Sequence, residues 1–426
     1  MSFKAMFVAI GGKSGVGKTT LIKELIMLYP NIFTRPVSYT TRLKRVGEDN
    51  SEYIFVTEDK IKMLHEHGKL ANLDFNYGNY YAMDRESLLQ NLEIPDIFII
   101  KEIHPKYHEN IKKLTGNRSI SVLIKGLDTE TNFRGRNAED DYYYNSHNEN
   151  EFDLVYMYDK NFSPKVNANY FYNRLMVYIN FLKRFPPAKT IDTVNSSGYV
   201  KVATQFTEEK RITTKNFHEI SEVFWHSFLK KLGSDEVVLE LGPGNGWLRS
   251  SFVWPSVDYR CVDIASNMQS VSNKENSYVA SARSMPMLNE SIDCVVASLA
   301  PYFYPEMLCE VNRILREGGL FAVTLPDKEW ADNLRGSNNH KTSFLLDSGE
   351  SSTVYSFTFS DEQIEDLVDK CGFSICQLIH LQGTELRKNE ISQAITCAAE
   401  KVGKSVNDLN IITALVLRKE RIIKNG

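Results

Sequence analysis

Two short stretches of this chain have the residue types and spacing for chemistry on nucleotides. The first, Gly12-Lys13-Ser14-Gly15-Val16-Gly17-Lys18-Thr19, fits G-x-x-x-x-G-K-[ST] at every fixed position. Glycines at these positions let backbone N–H groups turn inward around phosphate oxygens, and a helix starting behind them adds its positive end. Gly12, Ser14, Gly15 and Gly17 are expected to form the cradle. Lys18 would reach the β- and γ-phosphates of ATP, Thr19 would hold Mg²⁺ through its hydroxyl, and Thr20 is expected among the ATP-binding residues. The second stretch, Val237-Val238-Leu239-Glu240-Leu241-Gly242-Pro243-Gly244-Asn245-Gly246, is an apolar run entering a G-x-G-x-G turn. Such a turn lets the backbone approach a bound nucleoside closely, although several dinucleotide folds share it. Asp263, at the end of the next apolar run, offers a carboxylate that can accept both hydroxyls of a ribose.

The elements needed to hold these groups are legible as alternating apolar runs and helical patterns. Met6–Ile10 reads as a strand leading into the phosphate loop, followed by a helix from Lys18 to about Tyr29. Ile97–Ile100, Ile120–Ile124 and Leu154–Met157 read as buried strands, and a helix over about Asn167–Arg184 closes this part. Phe185-Pro186-Pro187-Ala188 and the polar run after it suggest a linker. A second alternating series begins with a helix over about Asn216–Leu232. Its strands are expected at Val237–Leu241, Tyr259–Val262, Cys294–Ala297, Leu320–Thr324, Phe373–Leu378 and Ile412–Leu417. Both series imply parallel α/β sheets with helices on their faces. The expected division is a first domain over 1–185, a linker over 186–215 and a second domain over 216–426.

Composition narrows the class of protein. At 426 residues with 42% hydrophobic and 24% charged content, the chain can build two ordinary cores. A net charge of −4 gives no global basic field for nucleic acid or acidic membrane. The short apolar run at the N-terminus enters a glycine turn without a cleavage-type site, so it does not read as a signal peptide, and no stretch reaches the length of a membrane helix. The six cysteines form no C-x-x-C pair, which suggests neither a zinc site nor a disulfide framework. The compartment expected is the cytoplasm. His65 with His67, and His104 with His108, lack a third ligand and read as surface histidines.

The segment after the phosphate loop resembles the guanylate kinase family. Ser38-Tyr39-Thr40-Thr41-Arg42-Leu43-Lys44-Arg45-Val46-Gly47-Glu48, then Tyr53, then Gly78-Asn79-Tyr80-Tyr81 follow the order of that family's nucleoside-monophosphate segment, within a resemblance running from about residue 5 to residue 160. The resemblance implies a P-loop nucleoside-monophosphate-kinase-like parallel sheet with a lid. It places Arg42, Arg45, Tyr53 and Tyr81 on the acceptor's phosphate, Ser38 and Asn72 at its base, and Glu102 near the phosphates and Mg²⁺. Bidentate arginines and phenolic donors suit a phosphate. Two departures stand out. Asn72 falls where the family has a guanine-reading Glu, and Met83 where it has a base-reading Ser. An amide presents an NH₂ where a carboxylate would accept two donors, so the acceptor is a nucleoside monophosphate or other phosphorylated small molecule, with GMP disfavoured. In the lid, Arg136 of Phe133-Arg134-Gly135-Arg136 matches a family arginine. No Lys or Arg follows from Asn137 to Asp159, and Arg134 could substitute for the second one.

The second half resembles the class I S-adenosylmethionine methyltransferases over about residues 216–426. The resemblance rests on the G-x-G-x-G strand end, Asp263, Ser281-Ala282-Arg283-Ser284-Met285-Pro286, Ser291-Ile292-Asp293-Cys294-Val295-Val296 and Leu315-Arg316-Glu317-Gly318-Gly319-Leu320. It implies a Rossmann-like sheet in which Glu240, Gly242, Gly244 and Asp263 bind the cofactor and Ser281 and Ala282 border the adenine. Many relatives have Asp where Ser281 stands. The methyl acceptor is unknown. Tyr302, in Ser298-Leu299-Ala300-Pro301-Tyr302-Phe303-Tyr304, could line its pocket or pack in the core. Methyl transfer from a sulfonium needs alignment more than a base. The expectation is a bifunctional transferase. A methyltransferase with a nucleotide-docking kinase half, a nucleotide-sensing scaffold and an RNA methyltransferase remain as rivals.

Overall fold

The computed structural model describes residues 3–46, 52–76, 78–126, 144, 151–182, 185–203, 211–266, 276–299, 303–336, 339–386 and 390–420. The chain forms two compact units, Met1–Asn173 and Arg174–Gly426.

Among its described residues the first unit has nine strands: β1 (Met6–Gly11), β2 (Phe33–Thr34), β3 (Ser38–Thr40), β4 (Ile54–Phe55), β5 (Leu70–Asn76), β6 (Asn79–Asp84), β7 (Phe98–Glu102), β8 (Ser119–Gly126) and β9 (Leu154–Tyr158). Five of them make a parallel sheet in the order β2-β7-β1-β8-β9. Runs such as Phe7-Val8-Ala9-Ile10 and Phe98-Ile99-Ile100 are buried throughout, the pattern of strands covered on both faces. The other four form a smaller sheet, β4-β3-β6-β5, in which β6 pairs antiparallel with both β3 and β5. This sheet carries the acceptor-segment residues.

The second unit adds β10 (Val237–Leu241), β11 (Asp258–Asp263), β12 (Ser277–Val279), β13 (Ile292–Ala297), β14 (Leu315–Pro326), β15 (Lys341–Leu345), β16 (Ser351–Tyr355), β17 (Phe373–Gln382) and β18 (Asn410–Lys419). Seven of these form one sheet, β12-β11-β10-β13-β14-β18-β17, parallel from β12 to β14 and antiparallel at β18 and β17. The pair β15–β16 is a separate antiparallel hairpin.

The stretch expected as a linker is part of the second unit. Residues Ala188–Val202 form a helix with Ala188, Ile191, Asp192, Asn195, Gly198 and Val202 buried. Pro187 sits at its N-cap, so the Pro-Pro pair starts a helix instead of ending a domain. Polar residues on the buried face hid the helical period. Asn195 bonds the backbone of Tyr355 with both ends of its amide, at 2.7 and 3.2 Å. Gly198 lies so close to β16 that a Cβ there would come within 2.6 Å of Val354 Cγ1. The division between the units falls inside the helix Pro164–Leu182, earlier than residue 185.

Candidate active sites

In the first unit, β1 ends in the phosphate loop and the helix Lys18–Leu28 begins directly behind it. Gly12 has φ +143°, and a Cβ there would stand 2.4 Å from the carbonyl oxygen of Ile124, so only glycine permits the loop to turn at this point. Lys18 is nearly buried. Its ammonium donates to the carbonyl oxygens of Gly12 at 2.6 Å and Lys13 at 2.9 Å, and pairs with Glu102 at 3.2 Å. Thr19 and Thr20 are exposed at the start of the helix. The Thr19 hydroxyl lies 3.4 Å from the other Glu102 oxygen, so β7 and the loop bring two hard oxygen ligands together, the type that Mg²⁺ takes alongside phosphate oxygens. Ser14 and Gly15 lie on the turn between them, and Gly15 and Gly17 both adopt positive φ.

The acceptor residues converge on one ring. The Arg42 guanidinium lies 5.4 Å from the centroid of Tyr53 and 5.2 Å from that of Phe55. Tyr81 meets Tyr53 edge-on at 6.0 Å. Burial, reinforced by Glu52 and Glu102, pushes the Tyr53 phenol far above its ordinary range, so it stays a donor. Arg45 is exposed on the loop after β3. Ser38 is buried, its hydroxyl donating to the carbonyl of Pro36 at 3.3 Å. Asn72 accepts the Met83 N–H at 3.0 Å through its side-chain oxygen, so the two departures seen in the sequence bond to each other across β5 and β6. Arg134 and Arg136 lie outside the described residues. Sequence reasoning missed Lys101 and Arg35. Lys101 stands 4.5 Å from the Tyr53 ring on the strand before Glu102, and Arg35 pairs with Glu52 at 3.2 Å. A lysine directly after the apolar Ile97–Ile100 run, between it and Glu102, was the available signal.

In the second unit a cavity of about 640 Å³ opens at the end of β10. One wall is Glu240, Gly242, Pro243, Gly244 and Asn245 with Asp263 from β11. Gly242 has φ +62°, and a Cβ built on it meets nothing within 4 Å, so any side chain there would occupy the cavity. Asp263 accepts the Ala265 N–H at 2.8 Å and is bonded by the N–H groups of Gly244 and Ile264, which ties the glycine turn to the acid. Burial raises its pKa to about 6. Glu240 is raised to about 7, again chiefly by burial, while it accepts the Tyr259 hydroxyl. Two carboxylates beside an open glycine turn suit the ribose hydroxyls of a nucleoside cofactor.

Other lining residues come from elements that carry no motif. They include Tyr199 of the helix Ala188–Val202, Phe217 and His218 of the helix Ile212–Leu229, Trp330, and Phe344 of β15. His218 stacks flat on Trp247 at 3.9 Å. Burial, with Asp263 adding to it, pushes the Tyr199 phenol upward, and both residues line the same cavity. Ser281 and Ala282 are not among the cavity-lining residues. The Ser281 hydroxyl donates to Asp192 at 2.6 Å, in a buried cluster where Arg283 and Tyr304 bond the same carboxylate at 2.8 and 2.9 Å. Ala282 packs against the main core. Tyr302 lies outside the described residues. Among the described residues no group of three His, Cys, Asp or Glu could hold a metal, and no helix is long and apolar enough to cross a membrane.

The fold is a P-loop α/β unit followed by a Rossmann-like α/β unit. A family model described as guanylate kinase matches residues 4–160, and one described as a methyltransferase domain matches residues 239–323. The guanylate kinase of Thermobifida fusca is 32% identical over 28% of this chain and 72% of its own length. The chain belongs to the guanylate kinase family through its first unit, and the methyltransferase-domain match lies in its second. The guanylate kinase of Syntrophus aciditrophicus is also 32% identical, but the match covers 26% of this chain and 53% of the relative, about half its length. Among solved structures, a guanylate kinase from Anaplasma phagocytophilum is 22% identical, covering 41% of this chain and 86% of that one, with a TM-score of 0.33. An S-adenosylmethionine-dependent methyltransferase from Mesorhizobium loti is 13% identical, covering 47% and 98%, with a TM-score of 0.33.

Proposed function

We propose that the first unit transfers a phosphoryl group from ATP–Mg²⁺ to a nucleoside monophosphate, and that the second methylates a small molecule with S-adenosylmethionine. The observation that carries this reading is that each unit keeps its charged centre assembled: Lys18 with Glu102 and Thr19 at one, Glu240 with Asp263 on a single cavity at the other. Lys18 neutralises charge on the β- and γ-phosphates once they replace its loop carbonyls. Thr19 and Glu102 would hold the Mg²⁺ that accompanies ATP. Arg42, Tyr53 and Tyr81 fix the acceptor's phosphate in line, so that positioning and charge neutralisation lower the barrier. In the second unit the bound cofactor supplies an electrophilic methyl. Glu240 and Asp263 orient its ribose, and the aromatic lining residues exclude water around the acceptor.

Asn72 shapes the choice of base. Its oxygen is occupied by the Met83 N–H, so its NH₂ remains to meet the base. A donor matches an acceptor such as adenine N1 or cytosine N3 and opposes the N1–H of guanine. The acceptor is therefore a monophosphate other than GMP, or a modified nucleotide, and a pathway to a nucleotide or natural-product intermediate would use both units. ADP release coupled to each common monophosphate tests the kinase half, with Lys18→Ala as the background. Turnover with AMP or CMP above that background, and less with GMP, is the expected result. Methyl transfer from labelled S-adenosylmethionine to the phosphorylated product tests the second half.

The altered base contact also favours a second reading, in which only the methyltransferase turns over and the first unit docks a nucleotide or phosphorylated acceptor. Monophosphate binding with no ADP release above the Lys18→Ala background would select it.

A further inference from the structure

Lys101 lies on β7 beside Ala9 of β1 and directly before Glu102. Its ammonium and the Arg42 guanidinium both approach the ring of Tyr53, at 4.5 and 5.4 Å, and Tyr81 meets that ring from its edge. The charged and titratable groups acting on Lys101 are Arg35, Glu52, Glu102 and Tyr53. Both acids are already engaged, Glu52 by Arg35 and Glu102 by Lys18, each at 3.2 Å. Lys101 itself has no hydrogen-bond acceptor and no ion-pair partner among the described residues.

We propose that Lys101 binds the acceptor's phosphate, donating from its ammonium to a phosphate oxygen across the face of Tyr53 from the adjoining strand. The inference rests on the nucleoside-monophosphate reading of the first unit. It explains why a half-buried lysine follows the apolar Phe98–Ile100 run of β7, where partial desolvation is costly unless an anion compensates. It also supplies a cation that does not come from the lid.

The test is calorimetric titration of the full chain with AMP, CMP, GMP and UMP, and with the matching nucleosides. For each monophosphate that binds, Lys101→Met is expected to weaken affinity about ten- to hundredfold at pH 7. The same variant should leave nucleoside and ATP affinities unchanged, and Lys101→Arg should recover most of the loss. Equal monophosphate affinity in Lys101→Met and the unaltered chain, or no recovery of affinity in Lys101→Arg, would overturn the assignment alone. Failure of the unaltered chain to bind any of the four monophosphates would overturn the kinase reading with it.

Discussion

Glu240 and Asp263 show how placement turns ordinary acids into pH-sensitive ligands. Both carboxyls are raised by burial, to about 7 and about 6. A raised carboxyl favours the fold while protonated. Its contribution is complete below the unfolded value near 4 and is lost as pH rises through 6 to 7. Cofactor affinity runs the other way, because ribose hydroxyls donate best to ionised oxygens. Affinity for S-adenosylmethionine is expected to fall about tenfold from pH 7.5 to pH 5.5. Glu240→Gln combined with Asp263→Asn should flatten that profile, as equilibrium titration at several pH values would measure. In the same acid direction the ligand-free second unit should gain stability from these two groups.

The helix Ala188–Val202 joins the core to the cavity. Its Asp192 receives Ser281, Arg283 and Tyr304, and both Asp192 and Arg283 are 1% exposed. Removing the acid leaves a buried guanidinium without its counter-ion. Asp192→Ala is therefore expected to cost about 3–5 kcal/mol of second-unit stability, read by denaturant unfolding. Nothing in Lys189-Thr190-Ile191-Asp192-Thr193-Val194-Asn195 announces this role, because buried Asp192 and Asn195 look like solvent residues until their partners are seen. The central strands and both glycine turns were legible, since continuous apolar runs and fixed glycines are local signals. The hairpin β15–β16 was not, and neither was the small sheet around Arg42 and Tyr81. Their strands are short, half-exposed and specified by partners distant in sequence. The same limit hid the rest of the cavity lining. Phe217, His218, Trp330 and Phe344 meet only after folding. Ser281 was placed by resemblance beside the adenine, whereas its hydroxyl turns to Asp192.

At the scale of the molecule, each unit has its own core. Residues such as Phe7, Ile99 and Leu88 pack together in the first, and Leu239, Val295 and Phe321 in the second. Scanning calorimetry is expected to show two transitions. A ligand present at about a hundred times its dissociation constant adds about 2.7 kcal/mol to the unit that binds it. ATP–Mg²⁺ should thus move one transition and S-adenosylmethionine the other, and movement of both by either ligand would argue against separate sites. The position of Tyr199 carries a practical consequence. A polypeptide begun at residue 216 would retain the whole methyltransferase match over 239–323. It would nevertheless lack the Tyr199 ring that lines the cavity and the acid that Arg283 requires, so a border drawn on motifs alone would amputate part of the binding chamber.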